Sequence, residues 1–257
     1  MKREATPFAP SMQTQSLTFS VRTARTTNDL KAACRVRAVA YGHHLPHLHD
    51  VMLEPDLLDT DPHTLVVLAV DKTTGDPVGT ARFQTNAGAR LLIEHSVDVP
   101  DWMCSDTRSE VSRLSTVPGA DPLVKLALMK ASYLFCLAAQ MRWMVICARS
   151  ESLVRQYRHL GFDNIFGDRT SRPMLHVGRI DHQVLAFNVH MAEARWRESG
   201  KPLYGFMVDT FHRDIDLFAT TPAMGSRREE SRVSRVPIRT PVRTPSNMRS
   251  IEAVEML

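Results

Sequence analysis

Six charged side chains stand where the surrounding pattern calls for apolar residues: Arg37, Asp56, Asp59, Arg82, Glu110 and Arg113. Three are cations and three are anions. Buried charges are tolerated when paired and hydrogen-bonded, so matched numbers on distant segments point to one electrostatic cluster joining helix, loop and sheet. Each residue taken alone reads as a solvated charge. Within the set Glu110 is the candidate general base, because burial raises a carboxylate's proton affinity while a neighbouring cation limits the rise. It reads equally as a structural partner of Arg82 or Arg113. Arg113 lies three residues on, which on a regular strand is the opposite face, so it joins Glu110 only across a bulge. Ser112 shares the face of Glu110 but has no Gly-x-Ser-x-Gly elbow around it and no His nearby in sequence, so it does not read as a nucleophile.

These residues need a scaffold. Leu17 to Ser20 reads as a strand, and Thr27-Asn28-Asp29 as the start of a helix through Leu30, Ala33, Val36, Ala40 and Tyr41. An irregular stretch follows with His43, His44, His47, His49 and Asp50. Its spacing fits no pair of helical ligands flanking a base, and no metal is expected. Leu65 to Val70 and Val78 to Gln84 form a hairpin around a turn at Lys72 to Pro77, and Arg90 to Glu94 is expected to begin a third strand. Arg108 to Val117 alternates as a strand, Pro122 to Met141 is an apolar helix, and Trp143 to Ala148 is a buried strand. Ser150 caps a helix that Gly161 stops, and Gln183 to Met191 closes the set. Hairpins followed by β-α-β crossovers imply a mixed sheet covered by helices.

The chain has 257 residues, 43% hydrophobic and 23% charged, as in ordinary globular proteins. No apolar stretch approaches the roughly 20 residues that cross a bilayer, and the N-terminus lacks a secretory pattern, so a cytoplasmic protein without stable membrane insertion is expected. Cys34, Cys104, Cys136 and Cys147 are widely spaced and read as reduced thiols. The formal charge is +4, but from Pro222 onward seven Arg face four Glu, so three of the four charges belong to the tail. A nearly neutral body argues against a nucleic-acid-binding core. Three segments are expected: a flexible leader 1–16, a domain 17–219 and a disordered Arg/Pro/Ser-rich tail 220–257.

Arg37 with Tyr41, Asp56 with Asp59, Gly79-Thr80-Ala81-Arg82, Glu110-Val111-Ser112-Arg113-Leu114 and Tyr157-x-x-Leu160-Gly161-Phe162 together resemble the autoinducer-synthase branch of the GNAT acyltransferase superfamily. Within that branch they are most similar to the N-acyl amino acid synthases, and the match runs from about Leu30 to Phe162. The resemblance implies an α/β (α+β) GNAT-like acyl-CoA N-acyltransferase fold. This is a mixed, mostly antiparallel twisted sheet with helices on both faces and a V-shaped splay beside Glu110 that admits an acyl-pantetheine arm. The implied reaction is transfer of a fatty acyl group to the amine of an amino acid, with no bound cofactor. The acyl-phosphopantetheine co-substrate is carried by acyl carrier protein or by CoA.

Glu110, Arg113 and Ser112 are then the catalytic candidates. Arg37, Tyr41, Asp56, Asp59, Arg82, Leu114, Leu126 and Trp143 are the substrate-binding candidates, with Met129, Val145 and Phe162 as further walls of an acyl tunnel. His43 or His44 would touch the acceptor's carboxylate. Ordinary acetyl-CoA users carry a glycine-rich loop that grips pyrophosphate at a helix N-terminus. Here Thr116-Val117-Pro118-Gly119-Ala120-Asp121-Pro122 stands in its place, which favours a carrier-protein donor. Lys125, Lys130, Arg142, Arg149, Arg155 and Arg158 are the candidates for docking that acidic partner. One rival is an acyl-homoserine lactone synthase using S-adenosylmethionine, for which an aromatic residue, typically Trp, is expected soon after Tyr41. Residues 42–55 contain no Phe, Tyr or Trp. The other rival is a non-catalytic module of the same fold that binds an acyl group or a partner.

Overall fold

The structure, a computed structural model, describes residues 13–198, 200 and 202–218. The expected tail and most of the expected leader lie outside the described residues. β1 (Gln13–Thr14), within the stretch expected as leader, pairs with the late strand β10 (Thr210–Phe211). β2 (Phe19–Thr23) leads into α1 (Thr27–His44). Thr26 caps α1 one residue before the predicted signal: its side chain accepts from Asp29 N–H, and the Asp29 carboxylate accepts from Thr26 N–H.

Three 3-10 turns cross from α1 to the hairpin of β3 (Thr64–Asp71) and β4 (Pro77–Thr85). The segment from Arg90 to Glu94, expected as a strand, is a 3-10 turn over Leu92–His95 followed by α2 (Asp101–Cys104). The reason is local: Leu91 and Ile93 sink into an apolar cluster, and Glu94 folds back to accept from Leu91 N–H at 3.0 Å. β5 (Arg108–Thr116), α3 (Leu123–Ala138), β6 (Trp143–Ala148) and α4 (Glu151–His159) then follow as expected. β7 (Asp163–Asn164) and β8 (Arg172–Met174) precede β9 (Ile180–Asn188). β9 begins before the predicted Gln183 and ends before Met191, because the Asn188 side chain accepts from Met191 N–H and turns the chain. α5 (Ala192–Glu198), α6 (Pro202–Tyr204), β10 and β11 (Ile215–Asp216) complete the described chain.

The main sheet runs β11-β2-β3-β4-β5-β6-β9-β7, with β8 on β9. Only β11 with β2 and β5 with β6 are parallel, so the sheet is mixed and mostly antiparallel. α3 and α4 cover one face through a core that includes Val124, Leu128, Val154, Tyr157 and Phe187. α1 covers the β3 region of the other face through Ala33, Val66 and Leu68. Beside it, the 91–104 segment packs Leu91, Ile93 and Met103 on Val145 and Val184. Gly79 belongs to this packing, since a Cβ there would meet Val124 Cγ1 at 2.6 Å, so α3 lies against β4 only where no side chain intervenes.

Parallel pairing of β5 with β6 covers Arg108↔Trp143 to Val111↔Ile146 and stops there, although β5 runs on to Thr116 and β6 to Ala148. The strands part beyond Val111, one residue past Glu110. Among the described residues no helix is long and apolar enough to cross a membrane.

Lys130, expected on a docking surface, is buried. Its Nζ donates to the Phe206 and Thr210 carbonyls at 2.8 and 2.6 Å and meets His212 Nδ1 at 3.0 Å. A chain of four methylenes lets it reach the segment crossing behind α3, so it fastens that segment instead of meeting a partner.

Candidate active site

The ion-pair cluster assembles from a short motif upward. Asp56 and Asp59 cap the 3-10 turn between them reciprocally, each carboxylate accepting the other's backbone N–H at 3.2 and 3.1 Å. The capping oxygens are shared: Asp59 Oδ2 also accepts from Arg37 and Asp56 Oδ1 from Arg82, while the second oxygen of each takes a further guanidinium. Arg37, from the buried face of α1, reaches Asp59 at 2.6 Å. Arg82, from β4, reaches Asp56 at 2.6 Å and Asp59 at 3.3 Å, and its Nε donates to Ser112 Oγ at 3.1 Å. Against the upward push of burial, Arg82 beside it holds the Asp56 carboxyl below its ordinary value.

Arg113 joins through the bulge. Arg82 pairs with Ser112 and Thr80 with Ser115, so two residues of β5 face Ala81, and Arg113 takes φ 54. This irregular turn brings its guanidinium to Asp56 at 3.4 Å, on the side of Glu110 and Ser112. Five of the six charged residues are therefore linked by direct ion pairs.

Glu110 stands apart. It is 1% exposed, and its direct bond is to a backbone: Ile93 N–H donates to its Oε2 at 3.0 Å. Burial pushes its carboxyl up to about 7, opposed by the Ile93 N–H and by the positive field of Arg82, and Glu94 adds to the rise. A carboxylate of this kind exchanges a proton near neutrality.

Glu110 lies on a cleft of about 1050 Å³ at the splay. Tyr41, Arg82, Ser112, Arg113 and Leu114 line it with Glu110, and His43 stands on its α1 side. The loop Val117 to Ala120 also lines it. Behind that loop Asp121 accepts from Leu123 N–H at 2.9 Å, putting a carboxylate on the N-terminus of α3.

Leu126 and Trp143 are not brought to the cleft. Leu126 and Met129 line a separate groove of about 420 Å³ between α3 and α4, which shares Lys125, Ser152 and Tyr157 with the cleft. Trp143 sits at the closed end of the β5–β6 pairing, edge-on to Trp102 at 4.9 Å, with Nε1 donating to Asp106 at 2.8 Å. Val145 and Phe162 are buried in different clusters. Of the proposed docking cations, Arg149 borders the cleft and Arg155 the groove, while Arg142 pairs with Asp106 at the far end of α3.

Sequence reasoning missed four cleft features. Cys147, two residues beyond the register partner of Glu110, has its thiol pushed well up by burial and by the Glu110 charge. Tyr157, noted only as part of a motif, is buried, which raises its phenol above the ordinary value. His176 and His182 come from the β8–β9 hairpin, whose short first strand carries no periodic signal. Burial, with Arg113 nearby, lowers His176 to about 4, and its Nδ1 is buried without a hydrogen-bond partner.

No family model and no curated protein matches the sequence. Solved structures do match. FeeM, an N-acyl amino acid synthase from uncultured soil microbes, aligns with a TM-score of 0.50 at 14% identity, over 68% of this chain and 93% of its own. The chain has the GNAT acyltransferase fold. BjaI, a CoA-dependent acyl-homoserine lactone synthase, aligns over 76% of this chain and 93% of its own at 17% identity and a TM-score of 0.47. The ribosomal-protein-S18-alanine N-acetyltransferase from Escherichia coli aligns over 66% and 94% at 15% identity, TM-score 0.46. The V-shaped opening that the resemblance implied is present in this GNAT sheet, between β5 and β6.

Proposed function

We propose that the protein is an N-acyltransferase that moves a fatty acyl group from a phosphopantetheine thioester to the amine of an amino acid. The observation that carries this reading is a buried carboxyl, poised near neutrality, beside an open splay in the sheet. A thioester is already activated, so the enzyme must hold the amine near the carbonyl, take its proton and stabilise the oxyanion. Glu110 takes the proton, directly or through water. The C–N bond forms, the C–S bond breaks, and the proton taken up by Glu110 passes on to the departing thiolate, which restores the carboxylate. Arg37, Asp56, Asp59, Arg82 and Arg113 hold the cleft wall, while Tyr41 and Leu114 contact substrate.

The donor is an acyl carrier protein. Asp121 supports this choice, because a carboxylate capping α3 repels the pyrophosphate of CoA. Arg149 and Arg155 provide exposed positive charge beside the openings for an acidic carrier.

The test is incubation of the purified protein with acyl carrier proteins and an amino-acid pool, with mass spectrometry of the products. N-acyl amino acids and free carrier thiol are expected only when the amine is present. A lactone formed only with S-adenosylmethionine would overturn the acceptor, and acyl binding without turnover would overturn the enzyme.

A further inference from the structure

The strongest unassigned arrangement is the one behind Glu110, and it deepens the proposed reading by naming what governs the base. Arg108 and Glu110 are two apart on β5 and share a face. Arg108 is buried and directs Nε and Nη2 to Glu94 Oε1 at 2.9 and 2.7 Å. Its Nη1 donates to the carbonyls of Met103, Cys104 and Asp106 at 2.5, 2.9 and 2.9 Å. One guanidinium thus ties β5 to both ends of the 91–106 segment. Glu94 spends its other oxygen on Leu91 N–H, and Arg90 donates to the Glu94 carbonyl. The turn so fixed presents Ile93 N–H to Glu110.

We propose that Glu94 and Arg108 are positioning residues: a buried latch that delivers the Ile93 N–H to Glu110 and tunes the base through the charge of Glu94. The other groups facing Glu110 are Arg82 from β4 and Cys147 from β6. Arg113, His176, His182, Tyr157, Tyr41 and His43 border the same cleft from the bulge, the hairpin, α4 and α1. Glu94 is the anion among them that acts directly on Glu110.

The two partners of the latch make opposite predictions. Glu94→Gln removes the negative charge but keeps an acceptor, so the Glu110 titration midpoint falls from about 7 by on the order of one unit. Arg108→Gln exposes Glu110 to an uncompensated Glu94, so the midpoint rises. A purely structural role loosens the turn and admits water in both variants, moving both midpoints down toward an ordinary carboxylate.

The measurement is the infrared carboxyl band of Glu110, isolated by subtracting the same background carrying Glu110→Gln, with amide exchange of Ile93 read in parallel. It needs no substrate, so a wrong acceptor or donor does not affect it. The acidic limb of the rate profile should move with the midpoint. If Arg108→Gln does not fold, a lowered midpoint in Glu94→Gln with Ile93 still protected sustains the proposal. An unmoved midpoint, lost Ile93 protection in Glu94→Gln, or downward shifts in both variants overturns it.

Discussion

Two sets of buried charge lie side by side in this molecule and behave in opposite ways. Asp56 and Asp59 face guanidinium groups at 2.6 to 3.4 Å, and the cluster cross-links α1, the 56–60 turn, β4 and β5. Glu110, on the neighbouring stretch of β5, is held by backbone N–H groups of the 92–93 turn and has a carboxyl raised to about 7. Asp59 is as buried as Glu110, though Asp56 is only half-buried, so burial alone does not make a reactive group. What differs is neutralisation: a fully paired carboxylate stays ionised and holds structure, whereas a weakly compensated one remains basic enough to accept a proton.

The comparison breaks first at Glu110→Gln. The fold should survive, because the amide keeps an acceptor for Ile93 N–H, while amine-dependent release of carrier thiol falls by about 10²–10⁴-fold. A variant of unchanged rate would put Glu110 with the structural set. Asp59→Ala should do the reverse, leaving Arg37 and Arg82 without their shared partner and costing about 3–5 kcal/mol in a denaturant titration.

The third prediction concerns pH. Glu110 binds its proton more tightly when folded than unfolded, so its contribution is fully present below about pH 4.5 and is lost as pH rises through about 7. The loss amounts to about 3 kcal/mol. Stability curves of wild type and Glu110→Gln should converge below about pH 4.5, separate between there and about pH 7, and stay apart above it, with the variant more stable. Parallel curves would mean that the carboxyl titrates normally. The smallest effect belongs to Ser112→Ala, which removes the acceptor of Arg82 Nε and costs about 1 kcal/mol. A rate loss approaching the roughly 10⁶-fold seen when a serine nucleophile is removed would replace direct transfer with an acyl-enzyme.

Much of the paired set was legible because it is written in side chains at fixed spacings. Asp56 and Asp59 are three apart because each caps the other, and opposite charges in equal number must meet when buried. The bulge was legible only as one of two alternatives: with it Arg113 shares the face of Glu110, and without it Arg113 serves the other face. The partner of Glu110 was not. It is a backbone N–H, which any residue carries, in a segment whose apolar run Leu91-Leu92-Ile93 mimicked a strand until Glu94 closed it into a turn. Leu126 and Trp143 show a second limit: apolar periodicity tells which residues turn inward, not which hollow they border, and Leu126 lines the α3–α4 groove while Trp143 lines neither. His176 came from a hairpin too short to leave a period.

The halted pairing of β5 and β6 has one more consequence. Among the described residues, the facing edges of Ser112–Thr116 and Cys147–Ala148 have no ladder between them, and unpaired peptide groups of that kind are a template for an extended guest. Under the proposed function, both amides of a pantetheine arm would fill the gap as a surrogate strand. Under that function, a donor seated in this way would be recognised by its handle and not by its cargo.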